Sequence, residues 1–533
     1  MNWIRKDDGH ADHPMPDPAS AAKLLPELRG ADPVTALNCL SGRLDKLKAT
    51  SSHDETARSD NLSLIQEAGD AHLSALLAQF LTKSADKQPT READWNALIN
   101  YQKTLTVALC ASARLLLNQS TTNPSLQLLG AAAAARGLDA CRTLAKICLV
   151  RYLSVPPKLW QLAYAVHGVA EKVGCAATPV RMHAVHKTST TVTQELLRLL
   201  MLHASAPDMM APEQIEVANR VIAQLGGDFT LRPRGATDGP FCFAPARERP
   251  PCRAAGQPPG TDTEIRYFGA GAGFNTLERL YKQLAITTSA DIPAFGKDIA
   301  PYVQISAIQH LLAFWGATSP YSPPEHSEAT GTLHVIHRYA GIWQHLSRAR
   351  SGAIALTLAE DSDDAPQVPE TWTLLDAGGN ELGAEASQQS YDWARCGDIV
   401  GVLMHGDDEC WLGVIRSMHA KLDRSLRANI AILSRDPQAV QLRVLIGKDE
   451  ENLYTEETAR QFGFNLVRAI ILPIDSAVSP QPTVMLPPES WKEGRVYEVT
   501  GEESARCLRG VRLMRRADDY VRAMFEWVSM EQA

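Results

Sequence analysis

The spacing of apolar residues changes once along this chain, and that change limits the folds open to it. From Asn61 to about Gly226 they recur at helical intervals, as in Cys141, Leu144, Ala145, Cys148, Leu149 and Tyr152, which share one face. Pro156 and Pro157 break that helix and can open the next, where Leu159, Leu162, Ala163 and Val166 form a stripe. Further helices fit Glu195 to His203 and Glu213 to Leu225, the second stopping at Gly226 and Gly227. No repeat of fixed period emerges, which favours an irregular bundle over a regular solenoid. Helical spacing returns from Asn275 to Leu284 and from Ile305 to Trp315, until Pro320, Pro323 and Pro324 end it.

Beyond about residue 325 the period moves toward two, and β-branched and aromatic residues gather in short runs between Gly, Asp and Pro. The runs predict strands over Leu333 to His337, Ala353 to Leu358, Trp372 to Leu375, Ile399 to Met404, Trp411 to Arg416 and Leu426 to Leu433. In the last, Leu426, Ala428, Ile430 and Ile432 alternate with the opposite face. Six short strands with polar turns suggest a small antiparallel barrel. More runs follow at Ala469 to Leu472, Thr483 to Leu486, Arg495 to Val499 and Leu508 to Met514, enough for a second β module.

The expected architecture is α+β and multidomain. A flexible N-terminal arm, rich in Asp, Ser and Pro, covers 1–60. An irregular α-helical bundle covers 61–325, with a proline-rich linker or surface strap at 239–260. A small β-barrel covers 326–440, and a further β-rich module covers 441–533. Length agrees, since 533 residues exceed what one hydrophobic core holds.

Composition narrows the function classes. A net charge of -8 spread over this length argues against a general nucleic-acid or anionic-membrane binder. Met1 to Met15 offer no apolar core followed by a small-residue cleavage site, so no secretion signal is expected there. The most apolar stretch, Leu105 to Leu117, is short for a membrane span and carries Arg114. Ten scattered cysteines lack disulfide-scaffold or paired zinc spacing, which predicts reduced thiols, a cytoplasmic address and no structural metal.

Local signatures of catalysis are missing: no HExxH, GxSxG or P-loop pattern occurs, and the expectation is no enzyme and no cofactor. Gly269, Gly271 and Gly273 have Phe274 where a dinucleotide fingerprint needs its third glycine, and no strand-helix-strand context is read around them. His183 and His186 could share a helix face but have no further ligand at metal spacing. The acids Glu360, Asp361, Asp363 and Asp364 read as a solvated loop. Arg348 and Arg350 could grip a phosphate or a guanine, since the guanidinium fork matches both, or could be two exposed arginines at a helix end.

The order of the β segments resembles the PilZ domain, the small barrel through which many bacterial proteins sense cyclic di-GMP. The strand at Trp372 to Leu375 runs into Asp376, which matches the acid opening the family's Asp-x-Ser-x-x-Gly turn; Gly378 stands at the serine and Glu381 at the glycine, with Gly383 two residues later. Downstream, Gly397 and Asp398 lead Ile399 to Met404, followed by Trp411 to Arg416 and Arg427 to Leu433, a succession similar to the family's. The family's Arg-x-x-x-Arg arm has no counterpart ahead of Leu333.

The resemblance implies a cytoplasmic bacterial regulatory or adaptor protein with cyclic di-GMP as candidate ligand and binding either retained or lost. Arg348 and Arg350 would contact phosphate or guanine, and Asp376 would shape the turn beside them. The helical region would engage a protein partner, with no nucleic acid and no membrane insertion. The alternative is a ligand-independent protein-protein interaction scaffold built on the helical region.

Overall fold

The computed structural model describes residues 28–529 apart from 29, 50–53, 82–91, 183–187, 233–238, 255–264, 287–294, 322–326, 352–367, 387–389, 391–392, 405–408, 421–424, 446–465, 475–481 and 501–505. The chain divides into two compact units, Met1–Ser322 and Pro323–Ala533.

The first unit is built on helices α1 (Pro33–Ala49), α2 (Glu55–Leu81), α3 (Glu92–Gln119), α4 (Gln127–Val150), α5 (Pro157–Val173), α6 (Val192–Ala204) and α7 (Pro212–Leu225). Within the stretch expected to be a flexible arm, α1 buries Leu37, Leu40 and Leu44. Apolar side chains at i, i+3 and i+7 give even this polar segment a core-facing stripe, so Pro33–Ala49 packs as a helix. The long pair α3 and α4 approach closely because Gly137 leaves room, a Cβ there lying 3.2 Å from the Cys110 sulfur. Cys110 and Cys141 face each other, buried and reduced, with sulfurs 3.7 Å apart.

Helix ends follow their sequence signals. Pro157 opens α5 and Gly174, at φ +79°, closes it. Thr191 and Gln194 form a reciprocal capping box at α6. A small sheet follows, of β1 (Thr230–Leu231), β2 (Phe241–Phe243), β3 (Cys252–Arg253) and β4 (Arg266–Gly269), in the order β1-β4-β2-β3. Part of the proline-rich stretch therefore pairs as strands rather than serving as linker alone; Phe241 and Phe243 are fully buried and draw it inward. A strand and a helix do flank the glycine cluster, since β4 leads directly into α8 (Ala272–Ile286). Gly271 sits at φ +54°, and a Cβ there would strike the Asp228 carbonyl, so this glycine serves close backbone packing. Helix α9 (Pro301–Trp315) completes the unit, with Trp315 donating from Nε1 to the Ser205 hydroxyl at 2.9 Å. Among the described residues, no helix is long and apolar enough to cross a membrane.

The second unit holds two closed six-stranded antiparallel barrels. The first is formed by β5 (Ser327–His337), β6 (Glu370–Gly378), β7 (Glu381–Ala386), β8 (Ile399–Met404), β9 (Cys410–Ala420) and β10 (Leu426–Ser434). The second is formed by β11 (Gln438–Leu445), β12 (Leu466–Leu472), β13 (Thr483–Leu486), β14 (Val496–Thr500), β15 (Arg506–Arg516) and β16 (Val521–Val528). The α+β reading holds, and the second β-rich module is a closed barrel that starts at Gln438. The expected strand Ala353 to Leu358, the acids at 360–364 and the pair His183 and His186 lie outside the described residues.

Both barrels close in the same way. Their first strand pairs with the second and the fourth, the third with the sixth, and the fifth with the fourth and the sixth. Closure leaves neither sheet with an open edge. Alternation supplies the cores: Leu426, Ala428 and Ile430 point into the first, and Tyr497, Leu508 and Phe525 into the second.

Candidate functional site

Helix α10 (Tyr339–Ser351) follows β5 and packs where the two barrels meet. Its buried face presents Tyr339, Ile342 and Leu346 to Ile399 and Leu412 of the first barrel and to Ile470, Leu472, Met485 and Tyr520 of the second. Polar bonds fix the register. The Tyr339 hydroxyl donates toward the carbonyls of Arg468 at 2.6 Å and Met485 at 3.1 Å. The Trp343 indole N–H is shared between the carbonyls of Val440 and Ala469, both at 3.1 Å. The Tyr339 backbone N–H donates to Asp519 at 3.0 Å. Burial drives the Tyr339 phenol well above its ordinary range, so it stays a neutral donor. A helix grown from the first barrel is thereby bolted to the second.

Arg348 lies at the exposed C-terminal end of this helix, and Arg350 belongs to the same last turn, its side chain outside the described atoms. Burial, with Arg348 adding to it, holds the His345 imidazole below its ordinary range.

Asp376 lies on β6 beside the turn into β7. Its carboxylate pairs with Arg427 of β10 at 2.6 Å, and its cross-strand partner is Gly383. A Cβ on Gly383 would run into that carboxylate, so the glycine makes the space the acid occupies. A shift in the ladder between Leu374 and Asp376 aims the acid out of the regular pleat. At the start of β7, Glu381 pairs with Arg416 of β9.

A further cluster joins β5, β6 and the segment between β7 and β8. Trp372 donates from Nε1 to the Ser390 hydroxyl at 2.9 Å, Ser390 donates to Glu370, and Trp393 donates from Nε1 to Glu370 at 2.7 Å. His337 stacks on Trp393 with ring centres 4.3 Å apart. Among the described residues, no group of three or more His, Cys, Asp or Glu could hold a metal ion.

Sequence reasoning missed two things here: Arg427 as the partner of Asp376, and α10 as the junction helix. Arg427 occupies an outward position of a strand whose inward residues had been recognised. Its pairing with an acid 51 residues earlier follows only once β10 lies beside β7 and near β6. Tyr339 and Trp343, four residues apart, were the readable signal of a helix face.

Residues 19–235 match the family model described as the cyclic-di-GMP receptor FimW, N-terminal domain. The match covers most of the first unit through α7 and stops short of both barrels. No curated protein and no solved structure matches the chain. The helical region is thus similar to the N-terminal domain of a cyclic di-GMP receptor.

Proposed function

We propose that this chain is a regulatory protein responsive to cyclic di-GMP, in which the barrel unit receives the nucleotide and the helical unit engages a protein partner. The observation that carries this reading is a helical region similar to a cyclic di-GMP receptor domain, followed in the same chain by two barrels of identical ring order. Cyclic di-GMP presents two phosphodiester charges and guanine edges, both matched by the arginine fork. Arg348 and Arg350 supply that chemistry from the end of the junction helix, while Asp376, held by Arg427, shapes the β6–β7 turn rather than facing the anion as a free charge. No turnover is required of such a protein; occupancy acts by biasing how the barrels and α10 pack.

Calorimetric titration of the full-length protein with cyclic di-GMP, with cyclic di-AMP and GTP as controls, tests the reading. Saturable binding selective for cyclic di-GMP is the expected result, weakened by Arg348→Ala with Arg350→Ala. Absence of any saturable binding would reject the nucleotide role and leave a ligand-independent scaffold. Selective binding unaffected by the double substitution would reject those two arginines.

A further inference from the structure

The β15–β16 hairpin of the second barrel carries Arg506, Arg509, Arg512, Arg515, Arg516 and Arg522 within 17 positions, and these charges are not handled alike. Arg509 has Glu526 across the strands at 3.5 Å, and Arg506 lies over the Trp527 ring. Arg515 and Arg522 are direct cross-strand partners, so two cations face each other across the ladder. Like charges in that relation repel. Among the described residues neither forms an ion pair with a carboxylate. Asp519, in the turn between them, is committed to the Tyr339 backbone N–H.

Arg522 adds a second oddity. It is partly buried, and its Nε is a buried donor without a hydrogen-bond partner. Burial, with the Arg515 charge adding to it, pushes its guanidinium below the ordinary arginine range. Folding has placed a half-desolvated cation beside another cation and left one of its donors unused, an arrangement an anion would relieve.

The surroundings leave Arg515 a defined place. Gly397, in the loop leading into β8, has φ +97°, and a Cβ there would collide with the Arg515 guanidinium. The Tyr520 hydroxyl donates to the Gly397 carbonyl at 3.1 Å, tying the hairpin to the first barrel at that point. The glycine thus opens the space the arginine end occupies, at the seam between the barrels.

We infer that Arg515 and Arg522, beside Gly397, form an anion subsite for a phosphate ester or phosphodiester at the barrel seam, separate from the contacts proposed for Arg348 and Arg350. Cyclic di-GMP is one carrier of that group, and a simple phosphoanion is another. Arg515 supplies an accessible fork, and Arg522 supplies a deeper donor whose charge rises in value as water is excluded. Because the seam residues Gly397 and Tyr520 touch this site, occupancy would tighten the contact between the barrels.

The test uses the full-length protein, titrated separately with cyclic di-GMP and with inorganic pyrophosphate, alongside Arg515→Gln and the double variant Arg515→Gln with Arg522→Gln. Arg515 is exposed, so its single variant keeps the test alive should the double variant not fold. At least one probe should bind, and the substitutions should weaken that binding by about tenfold or more, as loss of a charge-assisted fork requires. Arginine-dependent pyrophosphate binding without cyclic di-GMP binding would support the subsite while rejecting the nucleotide role proposed above. Binding of neither probe, or binding unchanged in the folded variants, would overturn the inference.

Discussion

The helical unit and the barrel unit treat charge in opposite ways. In the helical unit, several ionisable groups lie inside the packing, although pairs such as Lys282–Glu278 stay at the surface. Glu195 is fully buried against Arg198 and Thr190, and Arg142 bonds Asp139 and Asn219. Lys146 and Arg220 both reach Glu216, at 2.8 and 2.9 Å. In the barrel unit, pairs such as Arg427–Asp376, Arg416–Glu381 and Arg443–Glu498 sit on barrel exteriors with half-exposed arginines. The difference teaches where each unit can respond: the helical unit is held together by charges it cannot easily release, whereas the barrel unit keeps arginines near solvent, where a ligand can reach them.

The largest expected effect tests the buried network. Glu195→Ala leaves the largely buried Arg198 without its carboxylate partner and should cost about 3–5 kcal/mol in urea unfolding of the full-length chain. A loss below about 1 kcal/mol would mean the network is no more demanding than a surface pair.

The pH response comes next. His167 and His203 are held at about 4 by burial, against an ordinary value near 6.5. A depressed histidine binds fewer protons folded than unfolded, so its stability is present above about 6.5 and lost as pH falls toward 4, by on the order of 3 kcal/mol each. Asp70, raised to about 7 mainly by burial, runs the other way: protonated in the fold, it favours the folded state as pH falls from about 7 to 4. Two histidines against one carboxylate leave a net loss on acidification. Hydrogen exchange corrected for intrinsic rates should show helical-unit amides losing protection between pH 6.5 and 4.5 more than barrel amides. Equal loss in both units would break the contrast.

A smaller effect probes the barrel seam. Gly397→Ala forces a side chain into a φ of +97° and against Arg515, and should cost about 1–3 kcal/mol. The denaturation midpoint of the full chain reads it, and an unchanged midpoint would show that the Gly397 backbone relaxes freely. The smallest is Arg427→Ala. With the arginine side chain 43% exposed and Asp376 at 13%, its loss should cost at most about 1 kcal/mol after solvent screening. A cost like that of Glu195→Ala would place this pair with the buried networks and erase the distinction between units.

Much of the fold was legible because it rests on local periodicity. Ile399–Met404 and Thr483–Leu486 stand where their apolar runs begin and end. The corner at Pro156 and Pro157 opens α5 because proline suits a first helical turn. Strands β7 and β16 were less readable: Glu381 to Ala386 carry small and acidic residues, and β16 alternates Val521, Ala523 and Phe525 with polar and bulky neighbours that mask the pattern. The candidate site was legible only in part. Arg348 and Asp376 could be singled out by residue type, but the partner of Asp376 could not.

The sequence by itself determined the division into a helical stretch and a β-rich stretch, several element boundaries and many of the apolar faces, because side-chain period, proline and glycine act over a few residues. The tertiary structure alone decided that the β segments close into two rings of the same order, that α10 is seated between them, and that Arg515 faces Arg522 while Arg427 meets Asp376. Those contacts join residues brought together by strand order and register, and no local spacing encodes which strand will be whose neighbour.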